Sequence, residues 1–399
     1  MEIRDLYTQN TDYYYLNLLT DTILQSYPHI TTLYARCNSE ITRINHLTRL
    51  KVLNVAGTDS MITDEGISGL TNLTELDISG NQQITNLNCL TKLQILMATD
   101  NAGDPLDFNT GLFPPMNLTN HGISALTNLR KLNVCGNTRI TNVNHLTRLE
   151  TLNAEWDCGI DDYGIRNINL KKLIVSGNRK ISDVNYMTRL EKLFATDDSA
   201  IDNYGISNLN LTELDVSDNV WVSNVNHMNL LRILSAVNNC GIGDEGIAKL
   251  TGLTELYARD NITITNVNHM TNLCVLYANG EYSGIDDDGI ANLINLTELN
   301  ASDNRNISCI GHMTKLQILK AEHEECGIND TSIANLNLIS LDASENPKIT
   351  SIKHMSNLRI LDVGGASSID DEEIACLQLD KLFSAGNNRI TTHIQKLTI

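Results

Sequence analysis

The sequence repeats one short template along most of its length. A Leu followed five residues later by an Asn recurs nine times, as in LDISGN and LDVSDN. The leading leucines are Leu33, Leu76, Leu132, Leu173, Leu214, Leu256, Leu299, Leu341 and Leu382. A second apolar segment begins 20 residues after each of the first eight, at Leu53, Leu96, Leu152, Leu193, Leu234, Leu276, Leu319 and Leu361. The return to the next first segment takes 21 to 23 residues, except for 36 residues between Leu96 and Leu132. The unit is therefore a double repeat of about 42 residues, a length typical of repeat architectures.

The alternation within each segment predicts a strand. The residue two positions after the Leu is also small or apolar, as Ile78 and Val134 are, and its neighbours are mostly polar. A period of two indicates a short strand with one buried face. Coils of 20 to 23 residues are too short for separate domains, so each strand should lie beside the next in parallel. We expect one sheet of about 17 strands, one for each segment.

The recurring Asn has a structural explanation. It stands where the chain leaves the strand, at positions such as Asn81 and Asn261. Backbone groups lose their sheet partners at this point, and a carboxamide can both donate to and accept from them. We therefore predict a buried ladder of asparagines, which explains part of the excess of 54 Leu and 49 Asn in the composition.

The two return paths differ. In the longer path an Asp or Asn stands two residues before Gly-Ile or its equivalent, which is an N-cap signal for one or two helical turns. These residues are Asp64, Asn120, Asp162, Asn203, Asp244, Asp287, Asp330 and Asp371. The shorter path has room only for extended or 3₁₀ turns. The acidic pairs near the caps do not follow the spacing of a calcium loop.

These segments resemble the leucine-rich repeat family over about residues 31–399. LDISGNQQITNLNCLTKLQIL, from Leu76 to Leu96, is similar to the repeats of internalin-like and phosphatase-regulator proteins, and ITDEGISGLTNLTEL, from Ile62, resembles those of F-box leucine-rich proteins. The Asn- and Ile-rich composition of the repeats also resembles that of leucine-rich proteins of large amoebal viruses. The resemblance implies an α/β solenoid, a horseshoe or arc with about 17 parallel strands on its concave face. Short helices, 3₁₀ turns and extended segments would form the convex face, and the implied role is protein binding without catalysis.

The ends and one insertion depart from the repeat. We predict that residues 1–30 form an N-terminal helical cap and that residues 31–399 form the repeat domain. The insertion at 101–117 contains three of the five prolines and two of the four phenylalanines. Such an irregular loop is either a binding element or a tolerated insertion. The chain stops within a repeat, so its last strand is expected to be an open edge that can pair with a second copy in a homodimer.

Repeated polar residues have structural explanations too. Six histidines share one repeat position: His46, His145, His227, His269, His312 and His354. They lie on alternate coils, about 9.5 Å apart at the usual strand spacing, so neighbours cannot share a metal ion. The same spacing prevents a disulfide between Cys158 and Cys240, which we interpret as small buried residues. Catalytic motifs and nucleotide fingerprints are absent from the sequence, so no catalytic residue, metal or cofactor is predicted.

The net charge and the cysteines indicate which class of partner and which cellular compartment to expect. The formal net charge is −19, which argues against a nucleic-acid partner because such binding needs clustered Lys and Arg. The nine cysteines show no paired short spacing, and the sequence shows neither a signal peptide nor a long apolar run. A cytoplasmic protein without a membrane partner is expected.

The predicted partner site lies on the concave face. Aromatic residues at exposed strand positions are typical interface anchors, and acidic turns beside them would attract a basic or mixed protein surface. The site comprises Met97, Phe108, Phe113, Glu155, Trp156, Asp157, Ile174, Phe194, Asp197, Asp198, Tyr257 and Tyr277. Three alternatives stay open: the charges only keep the sheet in solution, the chain self-associates, or it regulates a host enzyme.

Overall fold

The computed structural model describes residues 19–100 and 116–391, and the chain forms two compact units, Met1–Leu209 and Asn210–Ile399. The described part of the first unit contains β1 (Thr32–Tyr34), β2 (Val52–Asn54), β3 (Glu75–Asp77), β4 (Ile95–Met97), β5 (Lys131–Asn133), β6 (Thr151–Asn153), β7 (Lys172–Ile174) and β8 (Lys192–Phe194). That of the second contains β9 (Glu213–Asp215), β10 (Ile233–Ser235), β11 (Glu255–Tyr257), β12 (Val275–Tyr277), β13 (Glu298–Asn300), β14 (Ile318–Lys320), β15 (Ser340–Asp342), β16 (Ile360–Asp362) and β17 (Lys381–Phe383).

Within each unit, neighbouring strands pair in parallel and in one register. Leucine stands opposite leucine in these pairs, for example Leu33 opposite Leu53 in the first unit and Leu256 opposite Leu276 in the second. The strand leucine and the apolar residue two positions later are buried, as Leu76 and Ile78 are. Because every coil contributes the same apolar positions, the core of each unit is a stack of similar layers. The prediction of an α/β solenoid with about 17 parallel strands is confirmed.

The buried asparagine ladder is also confirmed. Asn261 Oδ1 accepts hydrogen bonds from the backbone N–H groups of Thr263 and Ile264, at 2.9 and 3.0 Å. Its Nδ2 donates to the carbonyl oxygens of Ala236 and Ile242 in the preceding coil, at 2.8 and 3.2 Å. One carboxamide therefore satisfies four backbone groups that have no partner in the sheet.

A second row of asparagines, which we did not predict, joins coils on the helical side. Asn226 Nδ2 donates to the Glu245 carbonyl and its Oδ1 accepts from the Lys249 N–H, each at 2.7 Å. Equivalent bonds are made by Asn45, Asn88, Asn144, Asn185 and Asn268. The recurring Asn-His pairs of the sequence were the signal for this row.

The longer return paths contain single helical turns. These are α1 (Asp21–Leu24), α2 (Asp64–Ile67), a 3₁₀ turn (Asn120–Ile123), α3 (Asp162–Ile165), α4 (Asp244–Ile247), α5 (Asp287–Ile290), α6 (Asp330–Ile333) and α7 (Asp371–Ile374). The helix predicted at Asn203 is wrong: this segment forms turns, and Ser207 N bonds to the Tyr204 carbonyl three residues earlier. None of the helices in the described ranges is long and apolar enough to cross a bilayer.

The N-cap assignment from sequence is wrong by one residue. The Asp or Asn is the first helical residue, and the residue before it occupies the cap; Asp286, for example, accepts from the Gly289 N–H at 2.9 Å. Asp287 instead faces the next coil, where its Oδ1 accepts from the N–H groups of Ser308 and Cys309, each at 2.7 Å. Because each carboxylate ties its helical turn to the following coil, much of the acidic charge on this side is structural.

The described residues next to the N-terminal segment and to the 101–117 insertion make the same contacts as other coils of the repeat. Asp21 Oδ1 accepts from the Thr42 N–H at 2.9 Å, the contact that Asp287 makes in the second unit. Residues 19–30 of the predicted cap thus have the helix-side features of a repeat. Across the insertion, β4 and β5 pair in register, with Leu96 opposite Leu132. Phe108 and Phe113 lie outside the described residues.

The histidines cap helical turns, which confirms their interpretation as outer-side turn residues. His269 Nε2 lies 3.0 Å from the carbonyl oxygen of Ile247, the last residue of α4. His145, His312 and His354 make the same contact with the turn of the preceding coil. All nine cysteines are free thiols, and Cys158 and Cys240 are buried, as predicted.

Candidate functional site

The exposed face of the sheet is formed by four side chains per coil. They are the residues one before, one after and three after the strand leucine, and the turn residue four after it. We call this surface the sheet face. The prediction from sequence used only the last three positions and missed the residue before the leucine, although strand alternation places it on the same face.

The position after the leucine has a structural use in many coils. At eight of these positions an Asp or Asn accepts a hydrogen bond from the N–H two residues later, as Asp77 does from Ser79 at 3.0 Å. Such side chains stabilise the turn locally. Met97, Ile174, Phe194, Tyr257 and Tyr277 occupy the same position and cannot accept this bond. Turn formation therefore does not explain these five residues of the predicted site.

Trp156 is an unusual residue type for its backbone conformation. The turn residue of most coils has a positive φ and is Gly, Asp or Asn, whereas Trp156 has a φ of 56° and is 49% exposed. A bulky residue in this region costs about 1–2 kcal/mol. Its indole ring lies over Gly177, the turn residue of the next coil, where an added Cβ would stand 2.6 Å from the ring. The neighbouring coil thus leaves space for the ring.

Ile174 and Phe194 are brought together, as predicted. They stand opposite each other on β7 and β8, and both are partly exposed. Lys172 Nζ lies 4.4 Å from the centre of the Phe194 ring, in a cation–π contact. Met97 is not part of this pair, because Asn133 of β5 and Asn153 of β6 separate it from Ile174.

Around the predicted anchors of the first unit, the acidic residues lie at the turn edge. Asp157 and Asp198 are exposed, and Glu155 and Asp197 are partly exposed. Several of these carboxylates have partners: Asp198 pairs with Arg179, and Glu155 Oε2 accepts from Asn153 Nδ2 at 2.6 Å. The position before the leucine, which the prediction did not use, carries Lys131, Lys172 and Lys192 in the same unit, and also Glu75. The sheet face of this unit therefore carries both signs.

The sheet face of the second unit holds a tyrosine pair. Tyr257 and Tyr277 stand opposite each other on β11 and β12, with ring centres 5.0 Å apart and planes at 43°. Tyr277 Oη donates to Glu298 Oε1 at 2.6 Å, and Tyr257 Oη donates to Glu255 Oε2 at 3.1 Å. Burial, and then the neighbouring carboxylates, raise the pKa of both tyrosines, so both hydroxyls remain protonated donors at neutral pH.

Carboxylates are crowded on this unit's sheet face. Burial first, and then the charge of Asp342, raise the pKa of Glu322. Burial also raises the pKa of Asp362, with a smaller contribution from Asp342. Ionisation of both groups is therefore resisted in the folded state, and a cation placed beside them would relieve the repulsion.

A shallow depression lies at the turn edge of the second unit. It is lined by Asp303, His323, Glu324, Glu325, Glu345, Pro347 and Ala366. His323 Nε2 is 3.8 Å from Asp303 Oδ2. Within residues 19–100 and 116–391, no three or more His, Cys, Asp or Glu side chains are grouped so that they could hold a metal ion.

Comparison with known proteins finds similarity to a family of repeats. The "Leucine Rich repeat" family model matches residues 69–87 and 207–225. Both segments begin in a longer return path and run through a strand, β3 in one and β9 in the other, into the following turn. None of the curated proteins matches the sequence significantly.

Several solved structures are similar in fold. A crystal structure of an internalin (inlF) from Listeria monocytogenes is 23% identical, with a TM-score of 0.41, over 91% of this chain and 88% of that one. The functional domain of InlJ from Listeria monocytogenes, which includes a cysteine ladder, is 19% identical, with a TM-score of 0.45, over 84% and 74%. The TLR13 chain of a TLR13–ssRNA13 complex is 16% identical, with a TM-score of 0.44, over 90% and 55%.

The type of repeat follows from the matched segments and from the geometry that the coils share. Consecutive coils place leucine opposite leucine in parallel strands, and a buried Asn follows each strand segment that carries the Leu-to-Asn spacing. Two of these coils match the family model directly. The fold is a scaffold of the kind generally used for protein–protein interaction, and its members are typically not enzymes. The two matched segments are leucine-rich repeats, and the other coils of the chain repeat their geometry.

Proposed function

We propose that the chain is a non-enzymatic scaffold that binds a partner protein through the sheet face. Trp156, Ile174 and Phe194 are the anchors in the first unit, and Tyr257 and Tyr277 are the anchors in the second. The observation that carries the proposal is Trp156, which is half exposed in a left-handed conformation. A residue that costs backbone free energy and adds nothing to the core is typical of a functional site. Half-exposed tryptophans are also frequent interface hot spots.

The chemistry of the sheet face indicates the kind of partner. In the first unit an apolar pair lies between strand-start lysines and turn-edge carboxylates, which fits a protein surface of mixed charge. In the second unit the carboxylates predominate and fit a basic surface. Glu155, Asp157, Asp197 and Asp198 would form the rim, and Met97 and the 101–117 loop with Phe108 and Phe113 stay predicted contributors. The net charge of −19 supports a protein over a nucleic acid.

A cytoplasmic location is part of the same proposal. Its support is the set of nine free thiols, three of them buried, because unpaired cysteines are typical of reducing compartments. If the captured partner is an enzyme, the chain would act as its regulator or adaptor.

The experiment is quantitative capture with the tagged full chain from a lysate of the cells in which it is naturally expressed, followed by mass spectrometry. Trp156→Gly should lower the recovery of the partner about tenfold or more, as expected for a hot-spot tryptophan. Glycine adopts the left-handed turn without strain, so this variant should fold at least as stably as the wild type. Phe194→Ala should also lower recovery. The matched control is Trp221→Ala, because Trp221 is 63% exposed but lies outside the sheet face. Equal recovery by the wild type, Trp156→Gly and Phe194→Ala would refute the proposed anchors.

A further inference from the structure

The two units differ in what surrounds their sheet-face aromatic rings. In the first unit Lys172, the residue before a strand leucine, places its ammonium group 4.4 Å from the Phe194 ring centre. In the second unit the same strand position is Glu255 on β11 and Glu298 on β13, next to the tyrosine pair. Within the described ranges, no Lys or Arg lies over either tyrosine ring. The chain thus provides a cation for Phe194, whereas the tyrosine hydroxyls bond to carboxylates. Arg259, two residues after Tyr257 on the same face, pairs with Asp260 at 3.2 Å.

The hydrogen bonds of the tyrosines favour a cation at their rings. Each hydroxyl donates to a carboxylate, at 2.6 Å for Tyr277 and 3.1 Å for Tyr257. A phenol that donates to an anion gains electron density in its ring, which strengthens the negative potential of the ring face. The two rings, tilted by 43° with centres 5.0 Å apart, present such faces side by side. A positive group there meets both the rings and the carboxylates.

An unused acceptor lies close by. Asn279 is two residues after Tyr277 on the same face, and its Oδ1 has no hydrogen-bond donor within the described residues. An ammonium or guanidinium group brings several N–H donors, and this buried oxygen can accept from one of them if the carboxamide turns towards the surface. The acceptor favours a ligand that donates hydrogen bonds over a purely apolar one.

We propose that Tyr257 and Tyr277, together with Glu255 and Glu298, form a seat for a Lys or Arg side chain of the partner protein. This inference rests on the proposed function, since it takes the sheet face as the binding surface. It adds the chemistry of one contact: a basic segment lies over the tyrosine pair. A second copy of this chain is a poor occupant, because its net charge is also −19.

Labelled peptides test the seat. The probe is a fluorescein-labelled Gly/Ser peptide with three lysines at alternate positions, titrated with the full chain and followed by fluorescence anisotropy. Matching peptides contain arginine, norleucine or citrulline in place of lysine. The lysine or the arginine peptide should bind at least tenfold more tightly than its neutral counterpart, and added NaCl should weaken binding. The comparison of these two peptides shows which cation the seat prefers.

Variants locate the contact. Tyr257→Leu and Tyr277→Leu should each weaken binding of the charged peptide about two- to fivefold, as expected for an exposed cation–π contact. Glu298→Gln and Tyr277→Phe should also weaken it, and both conserve the shape of the site if a leucine variant fails to fold. Phe383→Leu is the matched control, because Phe383 holds the equivalent position on β17 and is 51% exposed. Its affinity should equal that of the wild type.

Two results would overturn the inference: equal binding of the norleucine and lysine peptides, or wild-type affinity in the folded tyrosine and glutamate variants. The proposed function fails separately. Loss of the peptide effect with capture still dependent on Trp156 would reject only the seat. If the Trp156 and Phe194 variants recover as much partner as the wild type and the charged peptide still binds more tightly than the neutral one, only those anchors would be rejected.

Discussion

Asparagine fills the buried ladder because it is a neutral side chain with both donors and an acceptor. Asn261 satisfies two backbone N–H groups through its oxygen and two carbonyls through its nitrogen. An aspartate would lack the donors and would bury a charge, and a leucine would satisfy none of the four groups. The chemistry of the turn therefore requires this residue in each coil that carries it.

Replacement of a ladder asparagine should be costly. For Asn261→Leu we expect a loss of about 3 kcal/mol or more in the free energy of unfolding, because each buried backbone group left unpaired costs about 1–3 kcal/mol. Urea denaturation followed by circular dichroism would measure the change. Asn272→Ala is the control: Asn272 is exposed and its Nδ2 donates one bond, to Thr251 O at 3.0 Å, so it should cost less than about 1 kcal/mol. Equal denaturation midpoints for the two variants would contradict the ladder's role.

The residues that sequence predicted well are those whose role is set within one coil. The ladder asparagines and strand leucines belong to this group. The N-cap was misplaced because Asp286 and Asp287 are both good caps in sequence, and the choice depends on Ser308 in the next coil. The second asparagine row was missed for the same reason, since its partners, such as Glu245 for Asn226, lie a full coil away.

At the level of elements, each helical turn is too short to be stable alone. A four-residue helix has almost no internal hydrogen bonding. The turns are kept in place by bonds to the next coil, in which the first helical residue accepts from two N–H groups. One coil uses an amide for the same purpose, since Asn120 Oδ1 accepts from Thr141 N at 2.8 Å. The acceptor oxygen, and not the charge, is the shared feature.

Substitutions at Asp287 test this account. Asp287→Ala should lower the free energy of unfolding by about 1–2 kcal/mol because two backbone N–H groups lose their acceptor. Asp287→Asn should cost much less, since the natural Asn120 makes the same bonds. Asp288→Ala is the control, because Asp288 is exposed and its side chain makes no hydrogen bond or ion pair with the described residues. If Asp287→Asn proves as damaging as Asp287→Ala in urea denaturation, charge and not the acceptor is what matters.

For the whole molecule, the charge of −19 divides between structural and surface roles. Carboxylates at the first helical residue and after the strand leucine accept backbone bonds. Some carboxylates also crowd the sheet face, and burial raises the pKa of Glu322 and of Asp362. Ionisation therefore costs stability there, and the cost is relieved as pH falls through the raised folded pKa. The net charge also opposes contact between two copies.

The sequence could predict which residues of the site share one face of the sheet. It could not predict the contacts between their side chains. Alternation put Ile174 and Phe194 on one face and one neighbouring pair of strands. It could not show that Lys172 lies over the Phe194 ring, or that the Tyr277 hydroxyl bonds to Glu298, because those contacts join different coils. These contacts depend on the direction in which each side chain points towards the neighbouring strand, and no local sequence pattern determines that direction.

The contact between Trp156 and Gly177 also constrains how this surface can evolve. An added Cβ at Gly177 would stand 2.6 Å from the indole ring, and Gly280 beside Asp260 and Gly365 beside Glu345 repeat the arrangement. With the indole ring in this position, residue 177 must be glycine. The requirement is not general, because the turn residue His323 is followed by Glu345 in the next coil. The tryptophan could therefore be acquired only after the glycine or together with it. Homologues that lose the tryptophan are free to replace the glycine, and those that keep it are not.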